Sequence, residues 1–232
     1  MSFGMPGYPS VRQTARQTQV PMELPKQLIR LYESSFWSTR AYPQGTVLAN
    51  RNDSTFSVNQ GGSGQGFAFL SFPETNMQEA GRIPSGLSFD CRGIACQPLT
   101  YAGANTPAGT VQPLIGDDAR NVVDNLGLQW KFQNTQLDIS TANLIGQGGG
   151  LFGMTADTGA ADGTSGSRVF INNGNGQIWL YGEGIAMPPG TSVNVQLIWS
   201  QFAIAVMGGA QGYQLGIKIF MVGKVQAALP IA

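Results

Sequence analysis

Two cysteines, Cys91 and Cys96, are the only thiols, and there is no histidine anywhere in the chain. Serine and cysteine nucleophiles activated by histidine are therefore excluded, as is histidine-ligated zinc. The cysteines stand five residues apart, which puts them on opposite faces of a regular strand. A disulfide between them needs a bulge or turn, so two buried thiols are expected. Asp157-Thr158-Gly159-Ala160 has the Asp-Thr-Gly form of aspartic-type hydrolases, whose chemistry needs two aspartates sharing a proton. Only one copy is present, without the apolar lead-in strand, so a chance match is the expectation.

Gly148-Gly-Gly150-Leu-Phe-Gly153 fits Gly-x-Gly-x-x-Gly, but no helix pattern follows to bring a dipole to a dinucleotide. A loop is the expectation there. Asp157 to Asp162, with Gly163 and Thr164, could offer oxygens to calcium but lacks the alternating acids of a built site. Asp117, Asp118 and Asp124 form a second acidic group, in which Asp117 or Asp118 is expected to cap a helical turn over Ala119–Leu126. Glu74, Glu79 and Arg82 could hold an acid–base pair, although local salt bridges explain them as well. Asn52-Asp-Ser54 fits a glycosylation acceptor. Trp37, Trp130, Trp179 and Trp199 are expected in sheet packing, with a sugar platform only if two are exposed together. No catalytic, cofactor-binding or metal residue is assigned, no cofactor is expected, and no enzyme is expected.

These residues must be positioned by a charge-poor chain. The 232 residues carry 13 basic and 13 acidic side chains, 11% charged in all, against an ordinary ~25%. Glycine numbers 32, about double its ordinary ~7% share. There is no global basic field for nucleic acid, so no sequence-specific nucleic-acid binding is expected. The N-terminus has neither the basic nor the apolar region of a secretory signal. The apolar tract Phe202–Val222 is broken by Gln211, Gln214, Lys218 and glycines, so no spanning helix is expected.

Residues 1–24 are expected as an extended arm, rich in Pro, Gly, Gln and Thr. Over 25–37, Leu24, Leu28, Leu31, Tyr32 and Phe36 fall at helical spacing behind Pro25, which predicts a short helix. Beyond residue 40 the period changes to two. Strands are predicted at Gly45–Asn50, Thr55–Val58, Gly66–Phe72, Leu87–Cys96, Leu126–Gln133, Gln136–Ile139, Arg168–Ile171, Gln177–Tyr181, Val193–Met207 and Tyr213–Val225. Gly/Asn/Pro clusters separate them, and residues 97–121 and 140–167 are predicted as long loops. The fold class is all-β, a sandwich or barrel.

The stretch Phe56-Ser-Val-Asn-Gln-Gly-Gly-Ser-Gly-Gln-Gly-Phe67, with Phe72-Pro-Glu-Thr-Asn76 and Gly81-Arg-Ile-Pro84, sits in a chain of this size, strand spacing and arm. Over residues 25–225 the whole resembles the jelly-roll major capsid proteins of tailless, membrane-containing icosahedral bacteriophages, of the single upright jelly-roll type. The resemblance implies a jelly-roll β-sandwich of about eight to ten strands over 25–232, with a short helix at 25–37 and an extended arm at 1–24. It implies a coat subunit that assembles with itself in a capsomer and with other capsid proteins into an icosahedral shell. The internal viral membrane is then a candidate contact of the arm or helix. The location would be the virion, after synthesis in the host cytoplasm. The balanced charge departs from the acidic pattern of relatives from brine and fits a bacterial host. Three other readings stand beside it: a spike, fibre or carbohydrate-binding β domain; an aspartic-type hydrolase using Asp157; and a bacterial structural protein.

Overall fold

The alternating run Leu126–Phe132 is a strand whose Leu126, Leu128 and Trp130 are buried while Gly127, Gln129 and Lys131 are partly exposed. The structure is a computed structural model that describes residues 29–102, 116–133, 135–141, 155–157, 168–170, 179–207 and 213–228. Its elements are β1 (Ile29–Pro43), β2 (Asn52–Thr55), β3 (Leu87–Ala102), α1 (Gly116–Asn125), β4 (Leu126–Phe132), β5 (Thr135–Thr141), β6 (Thr155–Asp157), β7 (Arg168–Phe170), β8 (Trp179–Met187), β9 (Val193–Trp199) and β10 (Tyr213–Ala228).

The protein is mostly β. One four-stranded sheet has the order β1-β10-β3-β8, the other β2-β9-β4-β5, and β6-β7 form a small ribbon. All these pairings are antiparallel. The two large sheets share one core. Ile217, Ile219, Met221 and Cys96 enter it from the first, and Leu128, Trp130, Val195 and Leu197 from the second. Edge-on aromatic pairs lie in it, Tyr42 with Trp199 at 5.7 Å and Phe36 with Phe89 at 5.0 Å between ring centroids.

The helix expected over 25–37 is corrected. Ile29–Trp37 runs in β1, paired with β10 from Ile29 opposite Ala228 to Pro43 opposite Gln214. Residues 25–28 and the arm, 1–24, lie outside the described residues. Fifteen residues of ladder outweigh the helical stripe, because propensity is a weak prior against tertiary pairing. The inward row is also not wholly apolar. Ser38 is buried between Phe36 and Tyr42, its hydroxyl accepting from the Phe56 N–H and the Gln65 amide, each at 3.0 Å.

Two other predicted strands are not formed. Gly45–Asn50 and Gly66–Phe72 are turns and irregular chain. The second strand lies at Asn52–Thr55, slightly before its predicted place. β3 and α1 take parts of the loop expected at 97–121, and β6 lies within the loop expected at 140–167.

Cys91 and Cys96 are free, and both face the core. Register explains this. Against β10, Cys91 lies opposite Gly223 and Gly93 opposite Val222, so Arg92 is an extra, bulged residue. The bulge shifts the parity of the strand, so Ile94 and Cys96 rejoin Phe89 and Cys91 on the inner face. Gly223 permits it, since a Cβ there would stand 2.1 Å from the Asp90 carbonyl oxygen. Burial pushes both thiols up, Cys91 and Cys96 each to about 12.

Candidate functional site

The strand order brings the chain leaving β1, helix α1 and the segment following β9 to one end of the sheets. There the Gly45 N–H donates to the Val206 carbonyl at 2.8 Å and the Val206 N–H to the Thr46 carbonyl at 3.0 Å. α1 fixes this pair from below. The Asn121 amide donates to the Ile204 carbonyl at 3.0 Å and accepts from the Ile204 N–H at 3.1 Å. The Asp118 carboxylate accepts from the Met207 N–H at 2.9 Å, and the Asn125 carbonyl from the Ser200 N–H at 2.9 Å. Asp118 and Asn121 are buried, so each bond satisfies a group that would be costly to leave unpaired.

The backbone so held turns Leu48, Ala203 and Val206 inward. It leaves Val47 67%, Phe202 74%, Ile204 43% and Met207 43% exposed. These four residues make an apolar end whose backbone is anchored. Contiguous exposed apolar patches are where proteins or lipids bind; here Ile204 also borders Asp117, Arg120 and Asp124 of α1.

Beside it, three charged groups tie the sheets together. Arg40 of β1 reaches Asp53 of β2 at 2.8 Å and donates to the Ser54 carbonyl at 3.0 Å. Arg51 pairs with the same carboxylate. Both guanidinium groups lie over the Tyr42 ring, at 5.8 and 5.6 Å from its centroid. The Tyr42 hydroxyl accepts from the Trp199 indole N–H at 3.2 Å, and burial raises its pKa far above the ordinary phenol value. The cluster is a mechanical clamp, with each charge spent on a partner.

The opposite end has a different surface. A shallow cavity of about 260 Å³ is lined by Ser57, Gly81, Lys131, Gln133, Ser192 and Asn194, with Val193. Lys131 makes no ion pair among the described residues. This pocket is open and lined mostly by polar residues, while Phe56, Met77 and Ile83 nearby in sequence are buried.

Among the described residues, those singled out by sequence do not converge. Gly148–Gly153, Thr158–Ala160, Asp162, Gly163 and Thr164 lie outside the described residues. Asp157 ends β6 opposite Arg168. Asp117 and Asp118 are in the first turn of α1 rather than ahead of it, and Asp118 holds Met207. Asp124 pairs with Arg120 at 3.1 Å on the helix surface. Glu74 accepts from the Ser71 N–H at 2.9 Å. Glu79 accepts from the Ser85 N–H at 2.8 Å, and that bond holds its pKa below the usual carboxylate value. The two glutamates are thus tied to separate serines and form no acid–base pair. Asn52 is exposed at the start of β2. Trp130 and Trp199 are buried, and Trp37 is half-buried with Phe72 edge-on at 5.0 Å. Among the described residues no three Asp, Glu or Cys side chains gather to hold a metal ion, and no helix is long and apolar enough to cross a membrane.

The apolar end was not legible as a site. Phe202-Ala-Ile204-Ala-Val206-Met alternates like a strand and was expected to continue one. Ser200-Gln201 was the available signal that the strand had ended. Comparison of the chain with family models, with curated proteins and with solved structures finds no match.

Proposed function

We propose that this chain is a virion coat subunit, a major capsid protein with a jelly-roll fold that assembles with its own copies and partner coat proteins into an icosahedral shell. The observation that carries the reading is the strand order. Eight strands lie in two four-stranded antiparallel sheets, β1-β10-β3-β8 and β2-β9-β4-β5. First and last strands are neighbours, and the short ribbon β6-β7 decorates one long link. That order supports the jelly-roll reading, in which two Greek keys produce two such sheets.

A fold hosts many functions, so the surface carries the second step. Only 11% of residues are charged, with no net charge. Copies of such a chain approach each other with little repulsion. The outward positions of β9 are Asn194, Gln196 and Ile198 and those of β4 are Gly127, Gln129 and Lys131, an amide-rich face with one exposed isoleucine, suited to many weak contacts. The anchored apolar end adds side chains that gain by leaving water, each about 1.5–3 kcal/mol when fully buried. Many such contacts per subunit sum through multivalency. The glycan-platform reading needs two tryptophans exposed together; with Trp130 and Trp199 in the core and Trp37 half-buried, it rests on Trp37 with Trp179.

The test is native mass and shape, by light scattering and negative-stain microscopy, on the purified chain and on particles from its source. Capsomers, rings or lattices that grow with concentration, or high copy number in an icosahedral particle, are expected. A stable monomer or an elongated trimer absent from any shell overturns the reading.

A further inference from the structure

β1 is an edge strand, and its outer edge is treated in two ways. From Ser35 to Ala41 the loop spanning 65–76 covers it. The Ala41 N–H donates to the Gln65 carbonyl at 2.8 Å. Asn76 takes the Trp37 N–H on its side-chain oxygen at 2.8 Å, gives its own N–H to the Trp37 carbonyl at 3.3 Å, and gives its amide to the Ser35 carbonyl at 2.7 Å. Thr39 donates its hydroxyl to the Glu74 carbonyl at 2.8 Å. The loop is pressed against the strand, since a Cβ on Gly66 would lie 2.1 Å from the Ala41 oxygen.

The outward groups in this row belong to odd-numbered residues, and the row continues through Glu33, Leu31 and Ile29. There the strand is still laddered to β10 on its other side, with Ile29 opposite Ala228 and Glu33 opposite Lys224. Among the described residues nothing caps its outer N–H and C=O groups. An open edge of this kind is a template for another strand.

We infer that Ile29–Glu33 pairs antiparallel with the same segment of a second copy, about a two-fold axis at Leu31, making one sheet continuous across two subunits. The segment complements a second copy of itself with no outward group left over, and three constraints select the register. Asn76 on the Ser35 carbonyl blocks the strand beyond Ser34. Ladder parity requires odd residues to face odd residues, since only they carry outward groups. Registers that set Glu33 against Glu33, or Arg30 against Arg30, oppose like charges. With Leu31 opposite Leu31 and Ile29 opposite Glu33, every outward group of the open segment is used. The contact is isologous, as a two-fold pair must be. It is independent of the coat reading, because a shell can be held by the apolar end and the sheet faces without it.

Cysteine self-crosslinking in the full chain tests the axis. Hydrogen-bonded antiparallel partners have Cα atoms about 5.5 Å apart, within disulfide range. Cys91 and Cys96 are buried and do not compete. Under mild oxidation Leu31→Cys is expected to form a covalent dimer and Glu33→Cys alone is not. A mixture of Ile29→Cys and Glu33→Cys chains is expected to crosslink to each other. In the unmodified chain, the Leu31 and Glu33 amides are expected to gain exchange protection as concentration rises. Leu31→Pro removes an outward N–H while sparing the β10 ladder, and is expected to abolish that concentration dependence with an unchanged melting temperature. Leu31→Lys provides the same reading if the proline variant fails to fold. Absence of the Leu31→Cys dimer, or equal crosslinking by Glu33→Cys, overturns the inference. Protection that does not depend on concentration also overturns it and assigns the edge to the chain's own residues. None of these results touches particle copy number, so a failure here is distinct from a failure of the coat reading.

Discussion

The two ends of the sheets solve opposite problems with the same core between them. At one end a polar scaffold is buried and an apolar surface is shown. Asp118 and Asn121 sit under the backbone while Val47, Phe202, Ile204 and Met207 face out. At the other end the apolar residues Phe56, Met77 and Ile83 are buried and hydroxyls, amides and Lys131 face out. The first arrangement spends buried hydrogen bonds to hold side chains that water disfavours. That expenditure makes sense for a surface that meets another surface. The second is an ordinary solvated loop end. On the proposed coat reading, the difference points to the segment after β9 as the contact surface, not to the residues whose types first attract a chemist.

The sharpest way to break the contrast is to remove the scaffold. Asn121→Ala deletes both bonds to Ile204 and leaves its N–H and C=O unpaired. The expected loss is about 2–4 kcal/mol, read by denaturant unfolding. Exchange should speed first over Ser200–Met207. A loss below about 0.5 kcal/mol would mean that α1 does not anchor the apolar end.

Alkali probes both ends through the core. Tyr42 lies beside the apolar end, and Cys91 lies toward the start of β3, at the other. Burial raises the pKa of each, Cys91 from 9.0 to about 12 and Tyr42 well above its ordinary value of 10.0. The unfolded chain therefore loses these protons first. Stability is fully present below about pH 9 and falls as pH rises toward the folded values, by at most about 1.4 kcal/mol per pH unit for each group. Tyr42→Phe and Cys91→Ala should each flatten the decline. Unfolding curves between neutral pH and pH 11 that show no decline would contradict the burial of both ends of the core.

Much of the sandwich was readable because burial alternates cleanly in its central strands. Leu126, Leu128 and Trp130 announced β4, and Val193, Val195 and Leu197 announced β9. β1 was not readable, because its inward row carries Ser38 and Arg40, and those polar groups are satisfied by Gln65, Ser54 and Asp53, residues distant in sequence. The inward placement of both cysteines depended on the bulge at Arg92, which their spacing does not encode. Phe69 and Phe72 looked like strand residues and are exposed on a loop that covers a strand edge. The candidate surface was hidden for a related reason. Alternation in 202–206 reads as a strand unless the buried helix contacts from Asp118 and Asn121 are known, and those partners lie more than eighty residues away.

Changes to the exposed residues separate assembly from stability. Phe202→Ser and Val47→Ser remove apolar surface that makes little packing in the isolated chain, so stability should move by about 0.5 kcal/mol or less. Higher-order assembly seen by light scattering should fall, most in the double variant. Unchanged assembly would move the contact away from this end.

The smallest effect is expected at the polar end. Lys131 sits partly exposed on β4, opposite Asn194 of β9, and makes no ion pair among the described residues. Lys131→Ala removes a solvated charge and a flexible stem, so unfolding should shift by about 0.5 kcal/mol or less. Assembly at a fixed salt concentration should match the unsubstituted chain if the two ends divide labour as described. Lys131→Glu makes the test stricter, because it reverses the charge without touching the apolar end. If that reversal weakens assembly as much as Phe202→Ser does, and added salt modulates the loss, then the polar end also meets a partner through charge. The contrast between the ends would then be one of contact chemistry, apolar at one and electrostatic at the other, rather than of contact against solvent.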